Sequence, residues 1–353
     1  MNAVEPPVRR AEQLTGRRLL GIVLILGGLG WILFELFSQG TIAGINLQLA
    51  RVDSVQAIPA QRFVVSRVEV TGVNDQIILQ NANGPEVVLS GERIGFGWEA
   101  NAAANAAAKV NVAVEQRDDT LYININHQLL VPFNFGRNPY ARLEIALPPN
   151  VEFNVSSASG SVTLDQTTAD GTVTTISGNV SADSTEGDLT INTTSGTVEL
   201  RNHRGALQFT AVSGKLLAIG PVTGLVARTT SGDVTVQGAP AAVKITTISG
   251  NVVVDTTVAS QVAVDTTNGT VTFTGPLTDG KHHIRTISGD IAISLVAPNV
   301  DLDIQTKSGF IDLPDQLAAQ SVDRRLLTAT LGEGGAKLSV SSISGNIRLQ
   351  VSR

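Results

Sequence analysis

The apolar positions in the C-terminal half of the chain recur with a period of 18 residues. Small-residue turns mark this period, and their glycines are Gly160, Gly178, Gly196, Gly214, Gly232 and Gly250, followed at intervals of 19, 20, 20 and 36 residues by Gly269, Gly289, Gly309 and Gly345. Two and four residues after each glycine the side chain is apolar, whereas the residue between them varies. Apolar residues also dominate five and seven residues before it. Alternation with period two predicts strands with one buried face, so each unit is predicted to be strand, turn, strand, turn.

One such unit cannot bury its apolar face alone, but stacked units share a continuous core. The sequence therefore predicts an all-β protein, a β-solenoid (β-helix) with coils of about 18 residues and two strand faces over residues 159–353. Residues 61–158 are predicted to be an irregular β section that starts the solenoid, with a turn at Asp118-Asp119. The 36-residue interval lacks a turn at its middle, which indicates an excursion at about 314–334, part loop and part helix.

A row of hydroxyl side chains stands three residues before the turn glycines. The row lies an even number of residues from the inward apolar positions of the strand before the turn, so it also faces inward. We expect its hydroxyls to lie inside the corner of the solenoid and to share hydrogen bonds. The glycine itself is expected to allow a positive φ at the bend. The row consists of Thr175, Thr193, Thr229, Thr247, Thr266, Thr286 and Thr306, with Ala211 and Ser342 as variants.

The N-terminal region contains one long apolar segment. Leu19–Phe37 has 18 uncharged residues and a single charge, Glu35, which is long enough for a membrane-spanning helix. Arg17 and Arg18 flank it on one side only, so residues 1–18 are predicted to be cytoplasmic and the C-terminal domain extracytoplasmic. Residues 38–60 are predicted to be a stalk. A cleaved signal peptide is the alternative interpretation.

Composition excludes several classes of site. The chain has no cysteine, so disulfides and thiolate metal sites are absent. A net charge of −6 argues against a nucleic-acid partner, which requires a basic surface. Neither HxH nor HExxH spacing occurs among the four histidines, and no cofactor motif is present.

Three features occur in an order that resembles a known bacterial family. They are "DDTLYI" at 118–123 followed by "LEIALPPNVEFNVSSASGSV" at 143–162, the series of S-G-[ND]-[VI] turns, and the ending "GEGGAKLSVSSISGNI" at 332–347. Together they are similar to the membrane-anchored "putative adhesin" family of β-strand-repeat domains (head-GIN and LiaG-like). The resemblance implies a β-helical extracytoplasmic domain behind one membrane helix, and it brings no catalytic residues.

The candidate site residues are few. Arg228, Lys244, His283 and Arg285 are predicted on the outward side of the strand before the turn, where they could bind anionic wall polymer or glycan, although an ordinary charged surface has the same pattern. His282 is predicted to be a buried structural residue between Val262 and Leu302. Asp165, Asp183 and Arg201 stack on successive coils and are the nearest approach to a glycan-active site, although residues that only solvate turns would look the same.

These observations favour a membrane-anchored adhesin or envelope-binding scaffold without enzymatic activity. Its partner would be cell-envelope polymer or glycan, or a membrane or surface protein. An accessory role in envelope-stress signalling and a β-helical glycan-active enzyme are the alternatives. The exposed strand edges at the solenoid ends also allow homo-association.

Overall fold

Two sheets of 14 strands each enclose a single apolar core. The computed structural model describes residues 41–42, 45–46, 52–128, 138–314 and 325–352. The first sheet contains β4 (Arg67–Gly72), β7 (Val110–Arg117), β8 (Thr120–His127), β10 (Glu152–Ser157), β12 (Gly171–Thr175), β14 (Leu189–Thr193), β16 (Ala206–Ala211), β18 (Gly224–Thr229), β20 (Ala242–Ser249), β22 (Gln261–Asn268), β24 (Gly280–Ser288), β26 (Val300–Thr306), β28 (Leu326–Leu331) and β29 (Ala336–Ser344).

The second sheet contains the strands that alternate with these along the chain. They are β3 (Val52–Phe63), β5 (Gln76–Asn81), β6 (Val87–Gly97), β9 (Tyr140–Leu147), β11 (Ser161–Asp165), β13 (Val180–Asp183), β15 (Thr197–Arg201), β17 (Lys215–Gly220), β19 (Val234–Gly238), β21 (Val252–Thr256), β23 (Val271–Gly275), β25 (Ile291–Val296), β27 (Ile311–Asp312) and β30 (Ile347–Ser352). A separate pair is formed by β1 (Thr41–Ile42) and β2 (Ile45–Asn46).

The repeat sets the register of both sheets. Val173 pairs with Ile191 in the first sheet and Val180 with Val198 in the second, in each case one 18-residue coil further along the chain. The pairing is parallel, and the aliphatic residues at the predicted inward positions are buried. The prediction of an all-β, solenoid-like arrangement with two strand faces is therefore confirmed.

The order of the last coils differs from the order of the chain. Strand β29 pairs with β24 on one side and with β26 on the other, and β30 likewise lies between β25 and β27. The coil of Gly345 is thus inserted between those of Gly289 and Gly309. The chain returns from β27 through β28, which pairs antiparallel with β26. Residues 326–331 of the predicted excursion are therefore a strand and not loop or helix, whereas residues 315–324 lie outside the described residues.

The N-terminal section also departs from the prediction at two places. Residues 52–60, predicted as stalk, belong to β3, which pairs antiparallel with β6. Within the predicted irregular β section, Ala100–Ala108 form a helix, α1. Alanine has the highest intrinsic helix propensity, and α1 packs so closely on β6 that a Cβ at Gly95 would overlap the backbone of Ala103 and Ala107. The turn at Asp118-Asp119 is confirmed, with Asp118 at a φ of 49°.

Among the described residues, no helix combines the length and the apolar character needed to cross a bilayer. The predicted membrane helix at 19–37 and the cytoplasmic tail at 1–18 lie outside those residues.

The turn glycines have a different role from the predicted one. None of them has a positive φ; the glycines with positive φ include Gly187 and Gly205, which follow second-sheet strands, and Gly238, the last residue of β19. A Cβ on the turn glycine Gly232 would instead overlap the carbonyl oxygen of Gly214, one coil earlier. Glycine is therefore required at these turns because successive backbones approach each other too closely for a side chain.

The predicted row of hydroxyls is buried at the corner, and it has two kinds of hydrogen bonding. The N–H of Gly232 donates to Thr229 Oγ1 at 2.9 Å, and Gly178 and Gly196 donate to their threonines in the same way. Further along, the N–H of Gly250 donates to the carbonyl of Asn268 at 3.1 Å, and Thr247 Oγ1 has no partner among the described residues. The hydroxyls therefore cap the turn amides in the early coils only.

This difference gives a prediction for two isosteric substitutions. Thr229→Val leaves the buried Gly232 amide unpaired and is expected to lower the free energy of unfolding by about 1–2 kcal/mol. Thr247→Val removes a hydroxyl that lacks a partner, so stability is expected to stay constant or to rise. Thermal unfolding of both variants measures the difference, and equal losses would contradict the assignment of the hydrogen bonds.

Candidate binding surface

The outward side chains of the first sheet form straight rows because neighbouring strands are in register. One row crosses the sheet as Val226, Lys244, Ala263, His283, Ser339 and Asp303. The next row crosses it as Arg228, Thr246, Asp265, Arg285, Ser341 and Gln305. All four predicted binding residues thus lie on one outer face, as expected from their parity.

A groove of about 470 Å³ runs over β24, β29 and β26 to Thr328 on β28, at the C-terminal end of this face. One wall consists of Lys281, His283 and Arg285 on β24, and the opposite wall contains Asp301 and Asp303 on β26. The inserted strand β29 forms the floor with Lys337 and Ser339. We call this feature the sheet groove; its walls carry opposite charges, and its floor includes a small hydroxyl side chain.

Some charges of the sheet groove are already paired and others are not. His283 Nε2 lies 3.1 Å from Asp265 Oδ2, and Thr330 Oγ1 donates to Asp301 Oδ1 at 2.8 Å. Within the described parts of the chain, Lys281, Lys337 and Asp303 form no ion pair closer than 4.0 Å. These groups therefore remain available to a ligand at the surface.

His282 supports the groove from within the core. His282 is only 2% exposed. Its Nδ1 accepts a hydrogen bond from the N–H of Val262 at 3.1 Å, and its Nε2–H donates to the carbonyl of Thr278 at 2.7 Å. Both ring nitrogens are thus used by the neutral imidazole. The prediction of a structural histidine is confirmed, but its neighbour across the sheet is Leu338 instead of Leu302, because β29 is inserted beside β24.

The buried histidines predict a loss of stability in acid. Burial lowers the pKa of His282 from its usual value of 6.5, the hydrogen bond to Thr278 opposes this effect, and the charge of His283 adds to it. Burial likewise lowers the pKa of His203. Because the unfolded chain binds these protons first, stability is complete above pH about 6.5 and falls as the pH drops towards the lower folded-state values. We expect the melting temperature to fall between pH 7 and 5, and to fall less in the double variant His203→Gln, His282→Gln; equal falls would contradict this origin.

The structure brings together only two of the four predicted binding residues. His283 and Arg285 line the sheet groove, whereas Arg228 and Lys244 lie on β18 and β20, outside it. Lys337 and Ser339 were missed because the sequence gives no sign that β29 is inserted beside β24. Lys281 could have been found from the sequence, because it lies two residues before His283 on the same strand and therefore faces the same side.

The stacked pair of aspartates forms as predicted but has no further support as a reactive site. Asp165 pairs in register with Asp183, and Asp183 with Arg201. Arg201 forms its ion pair with Glu199 on its own strand and not with the aspartates. Over the described part of the chain, no group of three or more His, Asp or Glu side chains could hold a metal ion.

These features define a class of all-β, solenoid-like proteins with long parallel sheets and an open polar face. The sequence model of the Toastrack DUF4097 family matches residues 150–239 and 222–350. The chain therefore belongs to the Toastrack DUF4097 family, which agrees with the resemblance to β-repeat domains.

Three solved structures that match this chain share little sequence with it. A "putative lipid binding protein" from Parabacteroides distasonis is 13% identical, covers 84% of this chain and 96% of its own, and gives a TM-score of 0.45. A "putative adhesin" from Bacteroides fragilis is 13% identical over 83% and 97% of the two chains, with a TM-score of 0.36. A "putative cell adhesion protein" from Clostridium sporogenes is 10% identical over 85% and 99%, with a TM-score of 0.21. No curated protein matches the chain.

Proposed function

We propose that this protein is a membrane-anchored, extracytoplasmic scaffold of the adhesin type that binds cell-envelope glycan and performs no catalysis. The sheet groove is the observation that carries the proposal. It presents unpaired charges of both signs, with Lys281 on one wall, Asp303 on the opposite wall, and Lys337 beside the hydroxyl of Ser339 on the floor. Long repeat surfaces of this kind bind extended ligands through many shallow contacts.

The charges of the groove narrow the class of ligand. A polymer with only negative charges would meet Asp301 and Asp303 on one wall, and like charges brought together on binding are unfavourable. A glycan that carries hydroxyl, amino and carboxylate groups satisfies both walls and the floor. We therefore favour a mixed-charge envelope glycan over the purely anionic polymer that the basic residues alone indicate.

The anchor in this proposal is the apolar segment Leu19–Phe37, with the N-terminus in the cytoplasm. Residues 38–51, which separate it from β3, number 14 and reach at most about 50 Å when extended. The sheet groove lies at the opposite end of the stacked coils from β3, which at about 4.8 Å per strand is roughly 50 Å away.

Co-sedimentation of the full-length chain, in detergent micelles, with purified cell-envelope glycan tests the groove. The double variant Asp303→Asn, Lys337→Gln keeps the net charge and is expected to weaken binding at least about tenfold, because charge-assisted hydrogen bonds are lost. The matched control is Lys215→Gln, Asp233→Asn, which removes an ion pair at the second sheet and also keeps the net charge. The control should bind within about twofold of the unmodified chain. Equal binding by both variants, or an equal loss in both, would contradict the proposal.

A further inference from the structure

A second pocket, of about 380 Å³, lies at the corner next to the sheet groove. Its polar lining consists of four hydroxyl residues, one amide and two cations, and we call it the corner pocket. The residues are Thr286, Thr306, Ser341, Ser342, Gln305, Lys307 and Arg325. No carboxylate lines it, in contrast to the sheet groove.

The inserted coil creates this concentration of hydroxyls. Because β29 lies between β24 and β26, Ser342 pairs in register with Thr286 on one side and with Thr306 on the other. Thr306 Oγ1 donates to the carbonyl of Gly345 at 2.9 Å, and Ser342 Oγ donates to that of Gly289 at 3.3 Å. Thr286 is 4% exposed, yet its Oγ1 has no hydrogen-bond partner among the described residues. Thr247 Oγ1 and Thr266 Oγ1 are buried without partners in the same way, so this feature belongs to the row of hydroxyls and not to the pocket. The outward hydroxyl of Ser341 is the one that faces the pocket.

Both cations are attached to the corner through their backbones. The N–H of Lys307 donates to the carbonyl of Ser342 at 3.3 Å, and the N–H of Thr306 donates to the carbonyl of Arg325 at 2.9 Å. Neither side chain forms an ion pair with any residue that the structure describes. Their positive charge is therefore uncompensated and available to an anion at the pocket.

We propose that the corner pocket binds a phosphate group. A guanidinium donates two parallel hydrogen bonds to phosphate oxygens, and an ammonium adds a compact positive charge. The hydroxyl of Ser341, on the outward side of β29, supplies a neutral donor. The corner pocket differs from the sheet groove because it carries positive charge without a carboxylate, so it does not suit the mixed-charge ligand class.

Titration of the full-length chain in detergent micelles, followed by ³¹P NMR and calorimetry, tests the proposal with two soluble probes. Inorganic phosphate represents a free phosphate group, and glycerophosphoglycerol represents the headgroup of a phospholipid. Saturable binding of either probe is expected, and the tighter of the two identifies the source of the phosphate. Absence of saturable binding for both probes would overturn the proposal.

Three sets of variants locate the binding. Lys307→Gln with Arg325→Gln is expected to weaken binding at least about tenfold, because two charge-assisted contacts are lost. Ser341→Ala should weaken it about fivefold without lowering the melting temperature, because the Ser341 hydroxyl forms no hydrogen bond with any residue that the structure describes. The control Lys281→Gln with Lys337→Gln removes the same charge from the sheet groove and should change phosphate affinity less than about twofold. An equal loss in this control would mean that overall charge causes the effect, and it would refute the site.

Glycan binding by the Lys307 and Arg325 variant should remain normal, so the two proposals can fail independently.

Discussion

Replacing Gly232 with alanine is expected to lower the free energy of unfolding by about 3 kcal/mol and the melting temperature by several degrees. The added Cβ would overlap the carbonyl oxygen of Gly214, which belongs to the backbone of the preceding coil and cannot rotate away. The two coils would have to separate at the turn. Parallel hydrogen bonds on both sides of it, between β16 and β18 and between β17 and β19, would then be strained.

Gly224→Ala is the matched control for this substitution. Gly224 lies in the same coil region, has no positive φ, and has no atom within 4 Å of an added Cβ. Alanine there is expected to be neutral or slightly stabilising, because it reduces the freedom of the unfolded chain. Thermal unfolding of both variants measures the difference. A Gly232→Ala variant as stable as the control would show that the coils do not approach as closely as described.

Replacing Asp75 with alanine is expected to destabilise the N-terminal section by about 3 kcal/mol or more. The carboxylate is completely buried, and it accepts the N–H of Val73 at 3.0 Å and that of Ala141 at 2.8 Å. His127 Nε2 lies 3.0 Å from both of its oxygens. Asp75 therefore joins β8, β9 and the turn before β5, and its removal leaves the buried amide of Ala141 and the partly buried amide of Val73 without this acceptor.

Amide hydrogen exchange shows where this loss occurs. Protection at Val73 and Ala141 should fall sharply in Asp75→Ala, while the coils beyond Gly178 keep theirs, because coils contact only their neighbours. Asp165→Ala is the control; Asp165 is exposed on the second sheet, and its replacement should change stability by less than about 0.5 kcal/mol. Uniform protection in Asp75→Ala would contradict a specific role for this carboxylate.

The regular coils could be predicted because their period appears in the residues themselves. Val162, Val180 and Val198 repeat at 18 residues, and that offset is the observed register. The order of the last coils could not be predicted, because 36 residues equal two periods and fit either a continuous stack or an insertion. The turn glycines were recognised from the sequence, but the reason why glycine is required there was not. The close approach between coils depends on how the coils stack and not on the local sequence.

The residues of the sheet groove were predicted only where the inward and outward alternation along a strand determines their position. Strand alternation placed His283 and Arg285 outward on the correct face, and it placed His282 inward. Which strands lie beside them depends on the insertion of β29, so Lys337, Ser339 and Ser342 had no visible connection with either pocket. Helix α1 was missed for a different reason: a short run of alanine and asparagine carries too weak an apolar pattern to identify a helix.

The most direct test of the proposed function uses the full-length chain with purified envelope glycan, and it follows both retention and the release of shorter products by mass spectrometry. We predict retention that depends on Asp303 and Lys337, with the glycan recovered at its original length. Release of shorter fragments would contradict a binding scaffold and would make Asp165 and Asp183 the residues to replace next. Absence of retention would contradict glycan binding itself.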